Sequence, residues 1–423
     1  MSPVEIMREV ERLAEQKLWS GFEITDIPVA IYDGKQTWLF RHPAPPDPFM
    51  PHPDHDEVYV MDGRHPSVVA NSIAMINDQI AATVMLEGVQ RTDLSGIASI
   101  VIHEMFHVYQ AFRHPDWNAD VSALFLYPFD RAELLQLRRL ETEAIHRALH
   151  MENAEESIAW CRHALQIREH RFRLLPPEAV LFERNTERHE GLAHYIELKA
   201  LGKKTVAFPK EEYAPDGIRG RCYLVGCAWA QLLDRLDPDW PEQLAEKNGY
   251  LDERLGSILD TRISKTVSVD FTSAEKKSAY LKAVSDIVSW NQTRDSLKRE
   301  FFATFGWKLA IETKTPLRTW GIDPSNAQKL NDAEVLHTRF IRLGSQTDRI
   351  EMLKGSALTV GAGAHPLFDG IQSAVFQLVR EPRAEFNDET VEIESEGFKA
   401  QIRKTNLQRL SLDYVDKSRM GGA

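Results

Sequence analysis

Between residues 28 and 86, short apolar segments alternate with turn signals, a pattern that predicts a small β-sheet. Residues 28–40 alternate apolar and polar side chains around Asp33-Gly34, a dipeptide typical of tight hairpin turns, and therefore predict two strands. Further strands are expected over residues 57–61 and 80–86. The second of these, IAATVML, is apolar enough to lie in a buried sheet.

A stretch rich in Pro and His, residues 41–55, interrupts these strands. We expect an irregular loop without any regular element there, because Pro removes backbone donors and fixes φ. The histidines of this loop, His42, His52 and His55, lack the helical or Cys-paired spacing of metal ligands. We therefore expect them to be solvated side chains.

From residue 95 onward the pattern changes to the period of an amphipathic helix. The apolar stripe of this helix consists of Ile97, Ile100, Val101, Val108 and Phe112. Further amphipathic stretches over residues 130–150, 152–174 and 178–201 predict scaffold helices. One more helix is expected over residues 220–236.

Beyond about residue 265, a charged helix is expected to near residue 302, followed by short β-rich segments such as ALTVGAG and AVFQLVR. The sequence therefore predicts an α+β fold with two domains. The first is mostly helical with a small sheet, over residues 1–265, and contains a helical insertion at about 120–180. A connecting helix over 266–305 leads to a β-rich accessory domain over 306–423.

Composition and charge exclude several classes of protein. The 423 residues include 51 basic and 63 acidic ones, and a net charge of -12 without a basic stripe disfavours a nucleic-acid partner. No segment has the roughly twenty consecutive apolar residues of a membrane span, and the start, MSPVEIMREVERLAEQ, lacks a secretory apolar run. Cys161, Cys222 and Cys227 form no Cys-x-x-Cys pair. We therefore expect a cytoplasmic protein with reduced thiols and no membrane partner.

Residues 103–107 read His-Glu-Met-Phe-His and lie within the apolar helix that follows strand 80–86. Spacing of four residues on a helix places His103 and His107 on one face, one turn apart, where both imidazoles can bind a single tetrahedral ion. Glu104 lies beside the first ligand, so its carboxylate can act as a general base for water activated by the metal. The segment therefore predicts a zinc hydrolase.

A third protein ligand is needed, and His114 does not fit. The extended motif with a third His requires Gly and His at positions that Gln110 and Arg113 occupy here. Glu190, on the helix predicted over residues 178–201, is the better candidate, because a carboxylate oxygen suits zinc. The neighbouring glycine would let two helices approach closely. Four residues on the same helical face remain alternative ligands or partners that orient a histidine: Glu183, Glu187, His194 and Glu197.

These residues resemble the gluzincin branch of the zincin metallopeptidases, the peptidase MA-like proteins, in which a Glu on a later helix completes a His2Glu zinc site. Family members often carry a Glu-Gly-x-Ala segment there, which Glu190, Gly191 and Ala193 match. The resemblance covers about residues 57–245. It implies a zincin-like fold, Zn2+ as the cofactor, and strand 80–86 as an edge strand that aligns extended substrate.

The chain departs from the family pattern in the length of one spacer. Between His107 and Glu190 lie 82 residues, many more than in the familiar short-spacer members. The intervening helices must therefore form an insertion that returns the chain to the metal.

Hydrolysis of an amide also needs a hydrogen-bond donor aimed at the developing oxyanion. In gluzincins a Tyr, His or Arg often supplies it. Tyr223, on the helix predicted over 220–236, is our candidate, with Arg221 and Tyr195 as alternatives.

The sequence thus predicts a zinc metallopeptidase that acts on peptide or protein substrates. Two alternatives remain. The same site could hydrolyse a non-peptide amide or ester, or a zincin-like domain could serve binding or regulation without catalysis. The sequence does not indicate an oligomeric state.

Overall fold

The structure is a computed structural model, and it describes residues 1–87, 93–209, 213–261, 267–323 and 326–416. The chain forms two compact units. One comprises Met1–Ala119, Glu133–Leu174 and Val180–Leu281, and is mainly helical. The other comprises Asp120–Ala132, Leu175–Ala179 and the chain from Lys282 onward, and is mainly β-sheet. A helical region and a β-rich C-terminal region, as the sequence predicts, are confirmed.

Ten α-helices occur within the described ranges. They are α1 (Pro3–Ala14), α2 (Leu94–Arg113), α3 (Ala132–His150), α4 (Ala154–Arg173), α5 (Pro177–Thr186), α6 (Leu192–Ala200), α7 (Ile218–Leu236), α8 (Trp240–Lys247), α9 (Leu251–Thr261) and α10 (Ser273–Ala303). A π-helical turn, Glu187–Gly191, joins α5 directly to α6. The sequence pattern did not predict the short helices α8 and α9.

Six strands form the sheet of the helical unit. They are β1 (Val29–Tyr32), β2 (Gln36–Phe40), β3 (Met50–Pro51), β4 (Val58–Asp62), β5 (Ser72–Ile76) and β6 (Gln79–Met85). Their order is β3-β4-β2-β1-β6-β5. β1 and β2 form the hairpin predicted around Asp33-Gly34, and Gly34 has the positive φ, 98°, that such a turn favours.

The expectation that the strand over residues 80–86 is an edge strand is wrong. β6 lies between β1, its parallel neighbour, and β5, its antiparallel neighbour. The two residues that link β5 to β6, Asn77 and Asp78, both have positive φ, 42° and 60°, as a type I′ hairpin turn requires. This turn, which the sequence analysis did not identify, adds β5 outside β6. Among the described strands, β5 therefore ends the sheet on this side.

Helix α2 packs against β5, β6, α1 and α6. It begins after Asp93, whose carboxylate accepts a hydrogen bond from the Gly96 backbone N–H at 2.7 Å. Its central turns are buried on nearly every side, which is typical of a core helix. Phe112 is 63% exposed, so its assignment to the apolar stripe is wrong. The reason is that burial of α2 ends at Gln110, and its last residues face solvent.

The loop over residues 41–55 also differs from expectation in two respects. Met50–Pro51 forms the short strand β3, which pairs with β4. His42 is buried, and its Nε2 atom lies 2.8 Å from the Ile76 carbonyl oxygen. A buried imidazole is stable when its nitrogen has such a partner. The expectation of a solvated side chain is therefore wrong for His42.

The β-rich unit contains the remaining strands of the described chain. They are β7 (Gly306–Ile322), β8 (Ala327–Lys329), β9 (Glu334–His337), β10 (Ile341–Gly344), β11 (Arg349–Met352), β12 (Ser356–Gly361), β13 (Ile371–Leu378), β14 (Arg383–Phe386), β15 (Thr390–Ser395), β16 (Phe398–Arg403) and β17 (Leu407–Val415). The long strand β7 pairs with β10 near its end and with β13 and β17 over its earlier residues. Alternating inward side chains of these strands contribute to two apolar clusters, the larger of which includes Leu309, Ile311 and Phe376.

Among the described residues, no helix combines the length and the apolar character needed to cross a lipid bilayer.

Candidate metal centre

Two imidazoles of α2 lie on the same face of the helix, one turn apart. The Nε2 atoms of His103 and His107 are 3.1 Å from each other, and both side chains are buried. The spacing of four residues brings them together, as the sequence predicts, because positions i and i+4 of an α-helix share a face. Two ring nitrogens thus point at one location in the interior of the helical unit.

Glu190 completes this group from the π-helical turn. Its Oε2 atom lies 3.2 Å from His107 Nε2 and 3.8 Å from His103 Nε2. In a tetrahedral zinc site with bonds of about 2.0–2.1 Å, ligand atoms lie about 3.3–3.4 Å apart. The three atoms therefore fit one such ion, and His103, His107 and Glu190 form a candidate metal-ligand group.

A hydrogen bond from Gln110 fixes the ring of His107. The Nδ1 atom of His107 lies 2.8 Å from Gln110 Oε1, and Gln110 Nε2 donates to the His189 carbonyl at 3.0 Å. Because the second bond makes Oε1 the atom facing the imidazole, His107 must donate through Nδ1–H. Its Nε2 atom then keeps the lone pair that a metal needs.

Glu197 contacts the ring of His103, as Gln110 contacts that of His107. Its Oε2 atom lies 3.4 Å from His103 Nδ1 and 2.9 Å from His194 Nδ1. Burial alone would lower the pKa of His103, but contacts with Glu190 and Glu197 outweigh burial and raise it to about 10. The carboxylates around His103 therefore favour positive charge at this location, which a divalent cation also supplies.

The second carboxylate oxygen of Glu190 accepts a hydrogen bond from an arginine on α7. Arg219 Nη2 donates to Glu190 Oε1 at 2.9 Å, which leaves Oε2 directed at the imidazoles. Burial would raise the pKa of Glu190, but contacts with His103 and His107 outweigh it and keep that pKa well below its usual range. Glu190 is therefore ionised, as a metal ligand must be.

Glu104 is buried beside the two imidazoles, with 7% of its surface exposed. Burial raises the pKa of its carboxyl group, whereas the neighbouring His103 and His107 lower it. A carboxylate with a raised pKa accepts protons more readily than one in free solution. Its position and environment therefore suit a general base.

Tyr223 lies near the candidate ligands on α7. Its ring is nearly parallel to that of His103, at a centroid distance of 6.3 Å, and the Arg219 guanidinium lies 5.4 Å from the Tyr223 ring centre. Burial raises the pKa of Tyr223, and the Glu190 carboxylate raises it further. The phenol therefore stays protonated near neutral pH and can donate a hydrogen bond.

The structure does not bring the two alternative donors to this place. Arg221 donates to Glu141 Oε1 at 2.7 Å and to Thr142 Oγ1 at 2.8 Å. The hydroxyl group of Tyr195 donates to Asp234, at 3.0 Å from Oδ2. Two of the alternative metal ligands, Glu183 and Glu187, are likewise paired with arginines elsewhere in the unit.

Three residues near the ligands were missed by the sequence analysis as contributors to the site. Gln110 was considered only as a mismatch to another motif, although position i+3 from His107 shares its helical face. Arg219 belongs to α7, and no local pattern links it to Glu190. The His189 ring stacks on His107 at a centroid distance of 4.3 Å, and burial, with His107, lowers the pKa of His189 to about 3.

In comparisons with known proteins, no family model, no curated protein and no solved structure matched this chain. Functional conclusions therefore depend on the geometry of the site.

Proposed function

We propose that this chain is a zinc-dependent metallopeptidase of the gluzincin type, with a zincin-like catalytic unit. The observation that carries the proposal is the convergence of His103 Nε2, His107 Nε2 and Glu190 Oε2, with separations of 3.1–3.8 Å, beside a buried Glu104. Two imidazoles, one carboxylate and an adjacent acid together make a complete set for metal-assisted hydrolysis.

The types of ligand atom favour zinc over Ca2+ and Mg2+. Imidazole nitrogen suits Zn2+, whereas Ca2+ and Mg2+ prefer oxygen ligands. Three protein residues would hold the ion, the number typical of catalytic zinc sites, whereas structural zinc sites use four.

In this proposal, zinc supplies Lewis acidity and makes water acidic enough, with a pKa near 7, to act as a nucleophile at neutral pH. Glu104 accepts the proton that the attacking water loses and delivers it to the leaving amine. Tyr223 donates a hydrogen bond to the oxygen of the scissile carbonyl as negative charge develops there. Gln110 and Glu197 keep the two imidazoles in their ligand orientation.

The sheet that packs against α2 favours a peptide as the substrate. α2 packs against β5, the strand that ends the described sheet on this side. An extended peptide can pair with the free backbone edge of such a strand and so be held alongside the helix that carries His103 and Glu104. This role belongs to β5 and not to the strand over residues 80–86.

Substitution of Glu104 tests the proposal. Glu104→Gln removes the base but keeps the shape of the side chain, so we expect cleavage of a fluorogenic peptide library to fall by 10²–10⁴-fold. Zinc content should stay equal to that of the wild type. A parallel assay with ester and non-peptide amide substrates separates peptidase from other hydrolase activity. Full activity of Glu104→Gln on every substrate would defeat the catalytic proposal.

A further inference from the structure

Seven charged side chains form a buried ion cluster in the helical unit, which we call the arginine cluster. Its members are Glu141, Arg168, Arg171, Glu183, Glu187, Arg221 and Asp252, and none is more than 6% exposed. The cluster draws on α3, α4, α5, α7 and α9 as well as on the π-helical turn. Buried charges of this kind persist only when each is well paired.

Four acidic residues of the continuous helix formed by α5, the π-helical turn and α6 are divided between this cluster and the metal centre. Glu183 and Glu187 pair with Arg171 and Arg168, whereas Glu190 and Glu197 contact the imidazoles of α2. In a regular α-helix, residues three, four and seven apart share one face. The division occurs at the π-helical turn, Glu187–Gly191, whose wider hydrogen-bonded ring rotates the residues that follow it.

Arg168 holds the first residue of that turn. Its Nη1 atom donates to Glu187 Oε1 at 3.0 Å, and its Nη2 atom donates to Glu187 Oε2, so the pair is bidentate. The guanidinium is fixed in turn by Glu141 Oε1 at 2.8 Å and by Asp252 Oδ2 at 3.0 Å. Arg168, on α4, therefore anchors Glu187 to α3 and α9 as well.

We propose that the Arg168–Glu187 ion pair is a positioning device for the third metal ligand. It stabilises the π-helical conformation of the turn. Glu190, three residues after Glu187, therefore faces His103 and His107 and not the arginine cluster. Arg168 belongs to α4, within the long spacer between His107 and Glu190. The inserted helices therefore help to position a ligand of the metal centre. This inference rests on the metal centre of the proposed function, but not on peptide hydrolysis.

Zinc affinity tests the inference. Glu187→Gln keeps the side-chain shape but removes the charge and one of the two acceptor oxygens. The matched control is Glu183→Gln, which makes the same change one turn earlier, at a carboxylate that is also fully buried and also bidentate with an arginine, Arg171. The dissociation constant is measured by competition with a chromophoric chelator, at a temperature where circular dichroism shows both variants folded.

We expect Glu187→Gln to raise the zinc dissociation constant about tenfold or more, and Glu183→Gln to change it less than about threefold. The absorption spectrum of the Co2+-substituted protein should change in the first variant alone, because it reports the ligand geometry. An equal change in both variants, or none in either, would overturn the inference.

A second pair of variants covers the case in which Glu187→Gln does not fold. Arg168→Lys keeps the charge but loses the bidentate contact with Glu187, and Arg171→Lys makes the same change opposite Glu183. A rise in the zinc dissociation constant for Arg168→Lys alone supports the inference, and equal values overturn it. Zinc binding by a wild-type chain that cleaves no peptide would defeat the peptidase proposal alone, because neither zinc affinity nor the Co2+ spectrum depends on catalysis.

Discussion

Gly191 and Gly226 meet backbone to backbone, at the point where the end of the π-helical turn crosses α7. A Cβ atom added to Gly191 would come within 2.6 Å of Gly226 Cα, and one added to Gly226 would collide with the Glu187 carbonyl oxygen. The glycine beside Glu190 predicts a close helix approach at Gly191. The structure shows that its partner is α7, which also carries Tyr223 and Arg219 near the candidate metal ligands.

Substitution of Gly226 should therefore destabilise the protein. We expect Gly226→Ala to lower the free energy of unfolding by about 1–3 kcal/mol or more, because the backbones must separate. The control is Gly220→Ala on the same helix, where the new methyl group would meet Tyr213 at an ordinary 3.6 Å. That variant should be neutral or slightly stabilising. Equal urea-unfolding curves for the two variants would contradict the close contact.

Gln110 should control zinc affinity through His107. We expect Gln110→Leu to raise the zinc dissociation constant by about 10–100-fold, because His107 then loses the acceptor that fixes its ring. Gln110→Glu keeps an acceptor oxygen and should lose much less affinity. The measurement is chelator competition at constant pH. The described role of Gln110 is wrong if the Leu and Glu variants bind zinc equally well.

Tyr223 should act on turnover and not on the metal. We expect Tyr223→Phe to lower kcat by about 100-fold with nearly unchanged zinc content, because the proposed oxyanion donor is lost while all three candidate ligands remain. Tyr195→Phe is the matched control, since the Tyr195 hydroxyl donates to Asp234 away from the ligands. Similar kcat values for Tyr223→Phe and the wild type would exclude Tyr223 as the oxyanion donor.

A buried histidine should make stability depend on pH in the β-rich unit. Burial lowers the pKa of His337 to about 4, whereas an unfolded chain has a histidine pKa near 6.5. The unfolded chain therefore takes up a proton between pH 6.5 and 4 that the folded chain does not. The free energy of unfolding keeps its full value above pH 6.5. It falls by about 3 kcal/mol in total as the pH drops from 6.5 to 4.

The check compares urea unfolding of the wild type and His337→Gln between pH 4 and 7. The difference in unfolding free energy between the two should shrink as the pH falls, because glutamine has no proton to take up. A difference that is constant over this range would show that His337 does not contribute to the acid sensitivity.

The local elements of the fold were accessible from the sequence, whereas several relations between distant segments were not. The period of residues 95–113 and the His103–His107 spacing both follow from helix geometry, so α2 and its two imidazoles could be predicted. The position of β6 inside the sheet could not be predicted. It depends on β5, which the Asn77-Asp78 turn connects to β6, and no strand was expected from the sequence at β5.

The partners of the candidate metal ligands illustrate the same limit. Glu190 could be proposed as the third ligand from its residue type and neighbouring glycine. Arg219 contacts Glu190, and Gly226 contacts the π-helical turn, only because α7 crosses that turn. The π-helical turn also has no signature in the sequence, since its residues read as a continuous amphipathic helix. Helix rotation and helix crossing are tertiary features, and local periodicity does not encode them.

Zinc content after mutation of single ligands tests the account most directly. Purified wild-type protein, His107→Ala, Glu190→Ala and the control His114→Ala are dialysed against a weak chelator and measured by inductively coupled plasma mass spectrometry. We predict about one zinc per chain for the wild type and for His114→Ala, and almost none for His107→Ala and Glu190→Ala. Equal zinc content in all four proteins would contradict the metal centre described above.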